Sequence, residues 1–366
     1  MKHSATLPRL SLEEAQDLQF RLVNALCNEF SGEAWLNRGE LGVGRAGRGA
    51  GFTRRAERAL ARMFSVEDAV LVSGAGTGAI RAALASLAPA GSPVMVHRAP
   101  IYPTTAVTFR MAGYTPVVVD LHNEKEIADA FPNSDIRVVY IQHTRQDLAD
   151  HYELEKVIRI VRATAPNVPI VVDDNYAVAN TPRIGVELGA DVSAFSAFKL
   201  LGPEGVGIVL GRTSMMDRIR VDMYSGGTRV QGHQAQDTLI GLTQVFVLNA
   251  IAAETAYEVV EHLNKVSIHG IQKAFVANLQ SPVILVRMEK PVADKVISEA
   301  ETMGALPFPV GAMSRYELAP LFYRVSSTMK ATLGEEEAAH WVRIGPMRSG
   351  PDTILSILIE SLKRVG

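Results

Sequence analysis

The chain has 366 residues, 47% hydrophobic and 21% charged, which is enough apolar material for at least one large core and excludes disordered and fibrous classes. Thirty-seven basic residues against 39 acidic ones leave a formal charge of −2, so no bulk charge drives binding to nucleic acid or to an anionic membrane. Cys27 is the only cysteine, which excludes an intrachain disulfide and a cysteine zinc cage. Residues 1–10 lack the apolar stretch of a signal peptide, and the most apolar run, 245–253, is interrupted by Asn249 and reads as a buried helix. These features lead us to expect a cytoplasmic protein that acts on small molecules, with no nucleic-acid or membrane partner and no metal.

In chain order, Ser11 and Glu14 have capping-box spacing, and Leu18, Leu22 and Ala25 continue one apolar stripe toward Phe30, so a first amphipathic helix is expected. Residues 37–52 hold six glycines, with arginines at Arg38, Arg45 and Arg48, and read as a loop. Thr53 to Phe64 reads as a basic helix. Strands are expected at 69–72, 94–97, 115–119, 137–142, 169–173, 192–196 and 206–210, alternating with helices at 77–87, 104–111, 125–131 and 153–164. Near-continuous apolar strands alternating with helices predict an α/β fold, a mostly parallel seven-stranded sheet with helices on both faces. A long helix over 236–263 then leads to a smaller α+β domain, with strands at 283–288 and 340–344 and helices at 292–303 and 352–364. The expected division is 1–49 for the N-terminal helix and glycine-rich arm, counted as part of the small domain, 50–250 for the large domain and 251–366 for the C-terminal small domain.

Ligands of open α/β sheets bind beyond the carboxyl ends of the strands, so chemistry is sought there. Residues 73–79, Ser-Gly-Ala-Gly-Thr-Gly-Ala, join a strand to a helix, and their small side chains let backbone N–H groups approach an anion at the positive helix end. Residues 171–176 end an apolar strand in Asp173 and Asp174. Only one of two successive carboxylates can face a given side of the sheet, and Asp173 is the favoured one. Lys199 follows another apolar strand in a glycine-rich surround, where desolvation would lower its pKa and free the amine as a nucleophile.

A Gly/Thr loop, a strand-end aspartate 97 residues after Gly76 and a Ser-x-x-Lys ending 26 residues later resemble the ordered signature of fold type I pyridoxal-phosphate enzymes, the aspartate-aminotransferase superfamily. Pyridoxal phosphate needs an amine for a Schiff base, an anion at the pyridine nitrogen and a phosphate cradle. The resemblance assigns these to Lys199, Asp173 and Gly76-Thr77-Gly78, adds Ser196 at the phosphate and Tyr176 at the ring hydroxyl, and makes Arg343, with Arg348 as its rival, the partner of the substrate carboxylate. Residues 47–84 and 101–105 look like the cystathionine synthase and lyase branch, which makes Tyr102 the ring-stacking residue, with a catalytic part beside Lys199 and Asp173. That branch has a tyrosine and an arginine upstream, whereas here only Arg45 and Arg48 remain. Residues 225–228 resemble a segment that reaches a partner's phosphate site, implying a homodimer with a shared site that includes Thr228. His143 and Arg145, at the same rim, stay open as substrate or cofactor contacts. With stretches such as GAGTGAIRA at 74–82, DDNYAV at 173–178, FKL-GPEGVG at 198–207 and ALP-PVGA at 305–312, the chain over its full length also resembles the YhfS-type aminotransferase-like proteins. The expected activity is that of an aminotransferase acting on an amino acid or related primary amine. β- or γ-Elimination by a lyase is the alternative, and a non-catalytic cofactor-binding regulator is a third reading.

Overall fold

The computed structural model describes residues 6–38, 41–42, 51–144, 147–278 and 282–366. The chain opens with α1 (Leu12–Glu29), α2 (Gly32–Leu36) and α3 (Gly51–Met63). The alternating region follows: β1 (Asp68–Ser73), α4 (Ala75–Leu87), β2 (Pro93–His97), α5 (Pro103–Ala112), β3 (Thr115–Val119), α6 (Glu124–Ala130), β4 (Val138–Gln142), α7 (Leu154–Thr164), β5 (Ile170–Asp173), β6 (Val192–Ser196), β7 (Val206–Gly211) and α8 (Thr213–Asp222). After the long α9 (Gly232–Lys265) come β8 (Ile271–Asn278), β9 (Pro282–Met288), α10 (Ala293–Thr302), β10 (Leu321–Arg324), α11 (Ser327–Leu333), α12 (Glu335–Ala338), β11 (Trp341–Gly345) and α13 (Pro351–Val365).

The first sheet has seven strands in the order β1-β7-β6-β5-β4-β2-β3. Only β7 runs against its neighbours, so the sheet is mostly parallel, as the apolar runs predict. Buried on both faces, β4 to β7 need no polar alternation. The second sheet is antiparallel, β10-β11-β9-β8. The expected capping box forms: the Ser11 hydroxyl accepts from Glu14 N–H at 3.2 Å, and the Glu14 carboxylate accepts from Ser11 N–H at 2.8 Å.

α9 serves both halves. Leu239, Leu242, Val245 and Phe246 join the core under α1 and α3, while Ala256, Val259 and Leu263 join the core of the small sheet. The run 245–253 therefore lies inside a helix that is apolar and long enough to cross a membrane by composition, with Val245, Phe246, Asn249, Ala250 and Ala253 buried in protein. Arginines of the basic α3 region meet carboxylates: Arg58 and Arg62 each donate to Glu29 at 2.6 Å, and Arg54 pairs with the buried Glu57. Arg38 pairs with Asp237 at 2.7 Å.

Candidate active site

A cavity of about 330 Å³ opens at the carboxyl ends of the parallel strands, where β1, β2, β4, β5 and β6 each deliver a loop. Gly76, Thr77, Tyr102, Asp173, Tyr176, Ser196 and Lys199 all line it. Residues 309–312, from the small-sheet half, supply the remaining wall.

The cradle begins where β1 ends. Gly74 turns the chain with φ +100, Ala75 follows at φ +54, and both N–H groups donate to Gly205 O, which fixes the turn. α4 starts at once, and its first-turn N–H groups at Gly76 and Thr77 have no acceptor among the described residues, leaving them for an anion at the positive helix end. Gly76 is required by proximity: a Cβ there would lie 2.5 Å from Asn175 Oδ1. Gly78 packs instead against Ser73 O, 2.1 Å from where its Cβ would be, and is not in the cavity wall.

Asp173 ends β5 facing the cavity, whereas Asp174 turns to the other side, accepting from the His143 ring at 2.6 Å and from Gly185 N–H at 3.0 Å. His143 is thereby engaged behind the site. Asp173 accepts from the Tyr140 hydroxyl at 2.8 Å and from Asn175 through its side-chain amide at 2.8 Å and its N–H at 3.0 Å. Burial still pushes its carboxyl above the ordinary range, against those bonds and the charge of Lys199. A buried carboxylate with neutral donors at hand is stabilised further by a cation arriving in the cavity.

Lys199 sits in a short turn after β6, its Nζ 3.6 Å from the Tyr176 ring centre and 5.8 Å from that of Tyr102. Burial brings its amine down to about 8, opposed by Tyr102, Asp173 and Glu317. Tyr176 has a left-handed backbone, φ +64, that places its ring at the amine, and its hydroxyl donates to Gly311 O at 3.4 Å. Tyr102 N–H donates to Gln142 Oε1 at 2.9 Å, and burial holds the Tyr102 hydroxyl above its usual range. Gln142 is held in turn, its carbonyl accepting from Tyr152 at 2.5 Å. Beside Tyr152, His97, His122 and Asp150 bring ligand-type atoms within 4.8 Å of one another. Their lone pairs are engaged, however: His97 Nδ1 accepts from Leu121 N–H and its Nε2 faces Asp150, while His122 Nε2 accepts from His151 N–H.

Like Gly78, two more expected residues lie outside the cavity wall. Thr228 sits in a turn, its hydroxyl donating to Ser225 O at 2.7 Å and its carbonyl accepting from Ser73 Oγ at 3.1 Å. Arg343, on β11 and 3% exposed, stacks over the Tyr323 ring at 4.5 Å, and its Nε has no partner among the described residues. Its charge reaches Tyr102 and Tyr176, whereas Arg348 borders a separate small cavity with Asn180 and Asn249. Arg45, Arg48 and Arg145 lie outside the described residues. The motif reading missed Asn175, whose Oδ1 also accepts from Ser196 N–H at 3.0 Å, together with Tyr140, Gln142 and Glu317. Asn175 lies inside a quoted motif, and its position two residues after the strand-end aspartate is the signal that was available.

The residues fit pyridoxal phosphate: a desolvated amine, a buried carboxylate suited to a protonated ring nitrogen, and a glycine-tight anion cradle share one cavity. Comparison with known proteins agrees. A family model described as Cys/Met metabolism PLP-dependent enzyme matches residues 46–283, and one described as YhfS-like, C-terminal domain matches 257–358. The uncharacterized protein YhfS of Escherichia coli (strain K12) is 43% identical over 98% of this chain and 99% of its own. The crystal structure of that pyridoxal-5'-phosphate dependent protein superposes with a TM-score of 0.96 over 100% of both chains. A carbon-sulfur lyase from Clostridium novyi NT shares the fold at 16% identity, with a TM-score of 0.71 over 97% of this chain and 91% of that one. A cystathione gamma lyase from Micromonospora echinospora does so at 18% identity, TM-score 0.69, over 86% of each chain. The chain belongs to the Cys/Met metabolism family of PLP-dependent enzymes, as a YhfS-like member whose cofactor is pyridoxal phosphate.

Proposed function

We propose that this enzyme is a lyase that eliminates a leaving group from the β or γ carbon of an amino acid. The observation that carries the reading is the pairing of Lys199 with Tyr102: a buried amine brought to about 8, and 5.8 Å from it a tyrosine ring whose hydroxyl keeps its proton above the usual range. Elimination asks for both a base at the α carbon and an acid at the departing atom. The Cys/Met metabolism family supports the reading, as do the fold neighbours named as lyases.

Pyridoxal phosphate supplies an aldehyde for the substrate amine and a ring that withdraws electrons from the attached carbon. In this reading the neutral Lys199 amine takes the α proton, and the Tyr102 hydroxyl delivers a proton to the leaving group. Asp173, oriented by Tyr140 and Asn175, holds a proton on the ring nitrogen. Gly76, Thr77 and Ser196 bind the phosphate, and Tyr176 orients the amine of Lys199. Arg343 receives the substrate carboxylate, its planar fork matching two oxygens. The reading includes a homodimer that places Thr228 near a shared site, supported by the exposed Phe20 and Val23 on α1 and Ile240 and Ile251 on α9.

Transamination, the sequence expectation, is the second reading. It is favoured by Lys199 being the amine placed to remove the α proton, because one lysine can also return that proton elsewhere. Incubating the enzyme with single amino acids, with and without 2-oxoglutarate, separates the two. Elimination releases ammonia and an oxo acid without an acceptor, and Tyr102→Phe should cut that rate roughly 100-fold. Amino-group transfer that requires the acceptor and survives Tyr102→Phe would overturn the lyase reading.

A further inference from the structure

Glu317 has no part in the motifs above, yet it is fully buried at 0% exposure, between Ser314 and β10. Its carboxylate gathers the loop that walls the cavity. Oε1 accepts from the N–H groups of Val310, Gly311 and Ala312, each at 2.7 Å. Oε2 accepts from Ser314 N–H at 2.7 Å, from the Ser314 hydroxyl at 2.5 Å and from Met313 N–H at 3.3 Å. Only an ionised carboxylate, which accepts on both oxygens and donates on neither, can serve so many converging donors. The bent backbone needs such a tie, because Ala312 is left-handed at φ +56.

The loop connects directly to the lysine. Gly311 N–H bonds Glu317, Gly311 O accepts from Tyr176, and the Tyr176 ring lies 3.6 Å from Lys199 Nζ. Gly311 has no slack, since a Cβ there would be 2.7 Å from Phe198 Cε1, on the residue preceding Lys199. We propose that Glu317 is a positioning residue: it ties the 310–314 loop, whose first three residues wall the cavity, and, through Gly311 and Tyr176, fixes how the Lys199 amine meets cofactor and substrate. Its negative charge also faces Lys199 and Arg348. The inference rests on Lys199 as the cofactor-linking amine and does not depend on which reaction follows.

The test compares cofactor-loaded wild type with Glu317→Gln, which keeps the shape but offers one acceptor oxygen and no charge. The variant should lower kcat/KM roughly 10- to 100-fold. The pH midpoint of the cofactor's visible absorbance should move to lower pH by about half a unit, because a charge favouring a cation at Lys199 Nζ is gone. Ser314→Ala removes one donor of the six but keeps the charge, so it should leave the midpoint at or slightly above the wild-type pH while lowering kcat/KM less than the glutamine variant does, and that loss decides the matter if the glutamine variant does not fold. A lowered melting temperature with midpoint and kcat/KM unchanged overturns the inference, because support of the fold alone predicts that pattern. Lys199→Ala serves as the separate control: wild-type visible absorbance there defeats the lysine assignment itself.

Discussion

Gly76→Ala tests the cradle at its tightest point. The added methyl would stand 2.5 Å from Asn175 Oδ1 and 2.7 Å from its Nδ2, about 0.9 Å inside ordinary van der Waals contact. Asn175 must retreat by about that distance. It then loses its reach to Ser196 N–H, now 3.0 Å away, and to Asp173, now 2.8 Å away. Two buried hydrogen bonds at about 1 kcal/mol each, one of them to a carboxylate, together with the strain of overpacking, give a destabilisation of roughly 3–5 kcal/mol. Displacing Asn175 from Ser196 N–H also disturbs the cradle, so cofactor affinity should fall at least about tenfold, equivalent to roughly 1.4 kcal/mol. Urea unfolding of the cofactor-free variant reads the first quantity, and absorbance titration with pyridoxal phosphate reads the second. Wild-type values in both assays would refute the claim that Gly76 is held by Asn175 and that this contact shapes the phosphate site.

Two further outcomes concern charge. In cofactor-free protein, capture of added pyridoxal phosphate should accelerate with pH around a midpoint near about 8, the value to which burial brings Lys199; a midpoint near the ordinary 10.5 contradicts the desolvated amine. Burial raises the Asp173 carboxyl above 3.8, so its unfavourable ionisation is absent below that pH and grows as pH climbs through the raised folded value. Asp173→Asn should therefore gain stability relative to wild type as pH rises through that window when no cofactor is bound, yet retain cofactor less well when loaded. Stability curves that run parallel with pH would show that burial does not outweigh the hydrogen bonds and the Lys199 charge at Asp173.

The large sheet was legible because most of its strands are buried on both faces and need little but apolar β-branched residues, a pattern that the largely exposed edge strand β3 shares, and all seven runs lie where expected. The small sheet was half legible. β8 carries Gln272 and Lys273 amid its apolar residues, and β10 is only four residues long, directly after Pro320, so neither has the length or pattern of a buried strand. The cofactor-facing residues were legible because they occur in short motifs at strand ends. Their supports were not: Tyr140 lies inside an apolar strand and reads as core, and Gln142 shows its use only once the Tyr102 loop is folded over it. Glu317 is the clearest case. As one acidic residue among Ser314, Arg315 and Tyr316 it reads as solvated, and its role depends on a loop closure that no periodicity records.

α9 gives the molecule a mechanical character. A continuous helix of 34 residues, roughly 50 Å of rigid rod, has one end set in each core. Its middle contains neither proline nor glycine between Leu242 and Lys265 to act as a joint. The floor of the catalytic cleft belongs to one core, while the wall at 309–312 belongs to the half whose sheet packs on the far end of the rod. Any opening large enough to exchange substrate must therefore flex the loops near the wall and leave the shaft straight, which confines gating to segments a few residues long.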